Sequence, residues 1–225
     1  MPDYFPVLLD LRGRLALVVG GGAVAARKVR DLLQCGASVT VVSPAITGDL
    51  AMLAVAGRIV HRERPFRRSD VRAAALVIAA TGVPDVDTAV VAEARRRRAL
   101  VNVVDRPAQC DFIVPSVLRR GNLQIAVSTG GRSPALAREI RRRLERVIGP
   151  EYADLVERVG RARRSARALA ASPAARLVAG ERVVAEALGA RARPRTPPAP
   201  RADHPRMLNP KAGPADSPML NSRRR

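Results

Sequence analysis

Tryptophan is absent from this 225-residue chain, and the aromatic set is only three phenylalanines and two tyrosines. There is no aromatic platform on which bases could stack, which argues against a single-strand nucleic-acid binder. Cysteine is nearly absent too: Cys35 and Cys110 form neither a CxxC pair nor a disulfide framework, so a reducing, cytoplasmic setting is expected. With two histidines, His61 and His204, and no clustered thiols, no metal site is assigned. No stretch approaches the roughly 18 apolar residues of a membrane span, and the start MPDYFPVLLDLRGR lacks a basic segment followed by a long apolar core. Neither a membrane partner nor an export signal is expected.

Acidic residues are also scarce. Twenty Asp and Glu face forty Lys and Arg, a net charge of +20 that divides into +8 over residues 1–137, +5 over 138–190 and +7 over 191–225. A broadly basic surface favours anionic partners, but the sign alone does not choose between nucleic acid, phospholipid and a polycarboxylated small molecule. The run Arg95–Arg98 would cover most directions around a helix, as a solvated helix end does, so no nucleic-acid partner is expected.

Against these absences stands a strong pattern. An apolar run from Leu15, a glycine cluster, and helical periodicity through Ala25, Val29, Leu32 and Leu33 read as strand, turn and helix. Further strands are predicted at 38–43 (SVTVVS), 58–61, 75–80 (ALVIAA) and 100–104 (LVNVV), with helices at 47–56, 69–74 and 85–98 between them. Strands apolar on both faces and separated by helices predict a parallel sheet covered on two sides. Beyond it, 112–118 and 123–128 read as two strands with no helix between, and 133–147 as an Arg-rich helix introduced by Pro134. Residues 152–188 carry helical patterning broken at Ser172 and Pro173. The Pro-rich, charged segment 191–225 cannot repay its ordering entropy and is expected to be disordered.

The glycine turn carries the first functional signal. Gly20, Gly22 and Ala25 fit GxGxxG/A, placed between strand and helix as a dinucleotide fingerprint requires. Gly20 would permit the turn, Gly22 would let the backbone approach a diphosphate, and Ala25 would let helix and strand pack closely. A glycine-rich turn of purely structural purpose is the alternative. The second strand ends in Ser43 where an acidic residue usually holds the ribose, so NAD and NADP are not separated by the residues.

A second cluster, NVVDRPAQCDFIVPS from Asn102 to Ser116, follows the fifth strand, and open α/β sheets bind ligands at the carboxyl ends of their strands. Asp105 there can act as a general base or simply cap a turn before Pro107. Ser128, Thr129, Gly130 and Gly131 form an amide-rich loop suited to carboxylates, and equally a helix-capping turn using Ser133. Cys110, a lone thiol beside Asp111, is read as structural.

Together VVGGGAVAARK, VVSP, the AAT at 79–81, NVVDRPAQCDFIVPS and STGGRSPALAREIR resemble the precorrin-2 dehydrogenase and sirohydrochlorin ferrochelatase family, over roughly residues 4–165. The resemblance implies NAD-dependent oxidation of precorrin-2, an octacarboxylate, to sirohydrochlorin in sirohaem or cobalamin synthesis, with ferrochelation (a lyase activity) in some members. It implies a homodimer that exchanges elements between subunits, with Asp105 as the acid/base group. Cofactor contacts would be Gly20, Gly21, Gly22, Ala23, Val24, Ser43, Pro44, Thr81 and Asn102; substrate contacts would be Arg106, Ser128, Thr129, Gly130, Gly131 and Arg132, with Arg119 and Arg120 nearby. The layout expected is an NAD-binding Rossmann domain over 1–113, a small α+β dimerisation region over 114–150, a helical substrate-site region over 151–190 and a basic tail over 191–225. The competing reading is a non-catalytic NAD-sensing regulatory module, which would need neither Asp105 nor an Arg-lined pocket.

Overall fold

A computed structural model describes residues 4–169 and 172–188; the tail expected at 191–225 lies outside the described residues. Five strands, β1 (Leu15–Val19), β2 (Ser38–Val42), β3 (Ile59–Arg62), β4 (Leu76–Ala79) and β5 (Leu100–Val103), pair in parallel in the order β3-β2-β1-β4-β5. Helices α1 (Ala23–Gln34), α2 (Gly48–Val55) and α3 (Pro84–Arg96) make the crossovers. The chain winds outward from β1 to β3, returns past β1, and builds β4 and β5 on its other side. The crevice between β1 and β4 is therefore the topological switch point, where such sheets receive ligands.

Alternation along the strands sends residues to two separate cores. Ala16, Val18, Val39, Val41, Leu76 and Ile78 pack with Ala25, Val29 and Leu32 of α1 and Leu50 of α2. Leu17, Val19, Val77, Val101 and Val103 pack on the opposite face with Val90, Val91 and Ala94 of α3. Each fully buried Leu or Val contributes about 1.5–3 kcal/mol relative to an exposed one, which holds the carboxyl edge of the sheet rigid.

Two predicted elements are altered. The helix expected at 69–74 is a single 3-10 turn, Arg68–Val71, anchored by Asp70, whose fully buried carboxylate accepts from Arg62 (2.6 Å), Arg64 (2.6 and 2.9 Å) and the Arg67 amide (2.8 Å). The strand expected at 112–118 begins only at Ser116, after Pro115, which offers no ladder donor. There β6 (Ser116–Arg120) pairs antiparallel with β7 (Leu123–Val127), and α4 (Pro134–Val147) packs against the pair.

Arg120 donates to the carbonyls of Ile148 (2.9 Å) and Glu145 (3.4 Å), satisfying the carboxyl end of α4. The arginine run 95–98 closes α3. Arg95 reaches the Gln109 carbonyl and Asp111, Arg96 and Arg97 pair with buried Glu93, and Arg98 turns into the left-handed region at φ 57°. Helix α5 (Glu151–Ala168) follows.

The chain divides into two compact units after Arg161. In the second, α6 (Pro173–Leu188) is started by the Ser172 hydroxyl, which accepts from the Ala175 amide (3.2 Å). Among the described residues, no helix is long and apolar enough to cross a membrane, and no group of three or more His, Cys, Asp or Glu is placed to hold a metal ion.

Candidate active site at the carboxyl edge of the sheet

The three glycines of the turn have three different reasons to be glycine. Gly20 has φ +120°, and a Cβ there would lie 2.3 Å from the Ala80 carbonyl oxygen. At Gly21 a Cβ would lie 1.9 Å from the Ala45 carbonyl oxygen and 2.8 Å from Ser43 Oγ. Gly22, the N-cap of α1, would meet nothing within 4 Å, so its open side is a cradle. The first intrahelical bond runs from the Ala26 amide to the Gly22 carbonyl (3.0 Å), leaving the Ala23, Val24 and Ala25 amides without helical acceptors at the positive end of the helix. Gly22, Ala23 and Val24 are exposed while Ala25 is buried against the sheet. This suits an anion such as a dinucleotide diphosphate.

Register places the flanking residues. Val19 is level with Val42 and Ala79, and Ala79 with Val103, so Gly20, Ser43, Ala80 and Val104 line one edge. Ser43 is almost buried and spends its hydroxyl proton on the Ala45 carbonyl (2.7 Å), keeping its lone pairs; Pro44 is exposed beside it. Thr81 donates to Asp87 (2.7 Å) and accepts from the Val83 amide (3.0 Å), which fixes the β4 to α3 turn. Asp87, buried in the first turns of α3, is a residue the sequence reading passed over, although six residues after Thr81 is within reach of it. Thr47 Oγ1, buried near the glycine turn without a partner, was likewise missed.

Asp105 follows β5 at φ 58°, an exposed aspartate in left-handed backbone. Such a conformation is costly for most residues and tolerated by Asp and Asn. The chain around it is clamped. Asn102, 8% exposed, donates to the Phe112 carbonyl (2.9 Å), and Asp111 accepts from the Val101 amide (3.0 Å) and donates its own amide to the Val101 carbonyl (2.8 Å). The Cys110 thiol accepts from the Val103 amide (3.1 Å) and contacts the Val103 and Arg106 carbonyls (both 3.3 Å). Burial pushes this thiol above its ordinary range, in keeping with a brace rather than a nucleophile. The Asn102 amide is thus committed to the returning chain that supports the Asp105 loop.

The loop at 128–132 lies between β7 and α4. Ser128 Oγ accepts from the Gly130 amide (3.1 Å), Thr129 Oγ1 from the Ser133 amide (2.9 Å), and Ser133 Oγ from the Leu136 amide (3.2 Å); Gly130 and Gly131 both have positive φ. Among the described residues no hydrogen bond or ion pair joins Ser128, Thr129, Gly130, Gly131 or Arg132 to Asp105 or Arg106. Arg119 instead contacts Cys35, the C-cap of α1 (3.8 Å), and, like Arg120, is occupied within the fold.

Comparison with known proteins places this geometry. A family model for NAD(P)-binding domains matches residues 7–116, and one for the central part of sirohaem biosynthesis proteins matches residues 120–146. Over these residues the chain is similar to sirohaem synthases. The siroheme synthase of Nitrosomonas europaea is 46% identical over 166 residues, 73% of this chain and 35% of that one. The siroheme synthase of Thioalkalivibrio sulfidiphilus is 49% identical over 153 residues, 68% of this chain and 31% of that one. The chain spans about a third of the length of these curated relatives. Among solved structures, SirC, a precorrin-2 dehydrogenase, superposes with a TM-score of 0.65 at 25% identity, covering 83% of this chain and all of that one.

Proposed function

We propose that this chain oxidises precorrin-2 to sirohydrochlorin with NAD as the acceptor, forming NADH and releasing one proton. The observation that carries this reading is Asp105, a carboxylate braced in left-handed backbone at the end of β5, on the same edge as the open glycine cradle. The likeness to siroheme synthases and to SirC supports the substrate class.

When bound, NAD supplies the hydride acceptor. The Gly22 cradle and the Ala23 and Val24 amides would hold its diphosphate, and Gly20 and Gly21 keep the turn tight enough for that approach. Ser43, its proton already given to Ala45, can accept from a ribose 2′-hydroxyl but has no donor for a 2′-phosphate, which favours NAD over NADP. Pro44 flanks that end, while Thr81 and Asn102 set the β4 and β5 ends that flank the nicotinamide side. Asp105 takes the proton that leaves the tetrapyrrole as conjugation extends. Arg106 and Arg132, together with the Ser128, Thr129, Gly130 and Gly131 loop, receive carboxylates.

Residues 1–113 form the nucleotide domain in this reading, 114–150 pair two copies in a homodimer that brings the 128–132 loop to the Asp105 edge, and 151–190 are assigned as a helical substrate-site region. The setting is cytoplasmic, and the product serves sirohaem or cobalamin synthesis. Anaerobic incubation with precorrin-2 and NAD should generate NADH and the sirohydrochlorin absorbance together. NAD binding without turnover would instead make the chain a sensing module. Ferrous iron added to the same cuvette tests ferrochelation, read as loss of the free sirohydrochlorin spectrum.

A further inference from the structure

The ladder between β2 and β3 stops one carbonyl short at its carboxyl end. Val42 is level with Arg62, and the Ser43 amide still donates to the Arg62 carbonyl (3.3 Å). A parallel ladder would next bond the Arg64 amide to the Ser43 carbonyl. That amide turns back to the Arg62 carbonyl instead (2.8 Å), so β3 curls away and, among the described residues, no main-chain donor reaches the Ser43 carbonyl. His61 supplies the missing donor. Half-buried and level with Val41, it places Nε2 3.0 Å from the Ser43 carbonyl oxygen, and because a carbonyl only accepts, Nε2 carries the proton.

The peptide held in this way belongs to the turn that faces the glycine cluster. Ser43 Oγ donates to the Ala45 carbonyl (2.7 Å), which lies where a Cβ on Gly21 would come within 1.9 Å, and the Thr47 amide donates to the Gly21 carbonyl (2.9 Å). Residues 43–47 are thus pinned to the glycine turn at Ala45 and Thr47 and to β3 at Ser43. Among the described residues, His61 is the one side chain from outside this turn that bonds to it. A carbonyl without a donor turns towards water. Here that rotation would tilt the peptide between Ser43 and Pro44 and shift the Ala45 acceptor that orients Ser43 Oγ.

We infer that His61 is a positioning residue for the dinucleotide: by holding the Ser43 carbonyl it aims the lone pairs of Ser43 Oγ at the 2′-hydroxyl of the adenosine ribose. This rests on the NAD site of the proposed function, since it is that ribose that Ser43 receives. His61 acts through Ser43 and is not itself a ligand contact. A ring that did no more than satisfy a carbonyl would change stability and affect every dinucleotide alike, whereas a ring that orients Ser43 matters only to a ligand carrying the 2′-hydroxyl.

The full chain and the variants His61→Leu and His61→Gln are titrated with NAD and with NAD lacking the 2′-hydroxyl of the adenosine ribose, with thermal melting alongside. One neutral hydrogen bond is worth about fivefold in affinity, so the wild type should bind the deoxy compound about fivefold more weakly than NAD. His61→Leu should weaken NAD by about the same factor while binding the deoxy compound within about twofold of the wild type. His61→Gln, whose terminal amide nitrogen can donate in place of Nε2, should bind NAD within about twofold of the wild type. If the leucine variant does not fold, His61→Asn replaces it, its shorter amide leaving the Ser43 carbonyl unpaired. A wild type indifferent to the 2′-hydroxyl overturns the inference. So does a leucine variant that loses both ligands equally, which is a defect of the fold alone, and so does a glutamine variant that restores nothing. A wild-type chain that binds NAD but never turns over precorrin-2 refutes the dehydrogenase reading while the titrations still decide His61; a wild-type chain that binds no NAD refutes both.

Discussion

Adding one methyl group at Gly20 and, separately, at Gly22 should break two different properties of the same turn. At Gly20 the new Cβ lies 2.3 Å from the Ala80 carbonyl oxygen, and the backbone sits at φ +120°. Both obstacles are main chain, so no side-chain rotation relieves them. Strained backbone costs about 1–3 kcal/mol and overpacking about another 1–3, so Gly20→Ala should lose about 2–6 kcal/mol and melt roughly 5–20 °C lower. At Gly22 the backbone is ordinary, φ −81°, and a Cβ meets nothing within 4 Å. Alanine is a poorer N-cap than glycine, but it also restricts the unfolded chain, and the two effects leave stability within about 1 kcal/mol. The methyl would occupy the cradle, so the NAD Kd should rise at least tenfold, about 1.4 kcal/mol. Calorimetric melting and NAD titration of both variants separate the effects. A Gly22→Ala variant that binds NAD like the wild type would refute the cradle, and a Gly20→Ala variant with unchanged melting would refute the close approach to Ala80.

Asp105→Ala should abolish NADH formation while leaving NAD affinity unchanged; Asp105→Asn should be as inactive but fold better, because asparagine tolerates the left-handed backbone that alanine resists by about 1–2 kcal/mol. Burial alone would raise the Asp70 carboxyl, but the hydrogen bonds from Arg64, the Arg67 amide and Arg62 outweigh it and hold it at about 2, against 3.8 for a free side chain. Its stabilisation is therefore complete above about pH 4 and lost as pH falls towards 2. In melts across that window Asp70→Asn should flatten the pH dependence, and at neutral pH it should cost about 1–3 kcal/mol. Cys110, whose thiol is raised by burial and held by the Val103 amide, should resist iodoacetamide at pH 8 in the folded chain and react on unfolding; rapid alkylation in the native state would contradict its bracing role.

What could be read beforehand follows from how local each cause is. The glycine turn and the five parallel strands were legible because the residues that decide them are neighbours in sequence: Gly20 to Ala25 in the turn, and apolar runs whose alternating members go to opposite cores. The support of Asp105 was not. It comes from a returning segment in which Cys110, Asp111 and Phe112 bond back across β5, and no periodicity marks a chain held by one thiol, one carboxylate and one carbonyl. The left-handed turn left only a faint trace, an aspartate two residues before Pro107.

Net charge was uninformative for a related reason. Net positive charge counts every arginine alike, whereas the fold spends many of them on its own acceptors: Arg62 and Arg64 on Asp70, Arg96 and Arg97 on Glu93, Arg95 on Asp111, and Arg120 on the end of α4. Lys28, Arg106 and Arg132 are among the cations with no such partner in the described residues. Arg106, next to Asp105 in the chain, and Arg132 in the loop before α4 are therefore the arginines to test against a carboxylated ligand, whereas net charge by itself points to no particular partner.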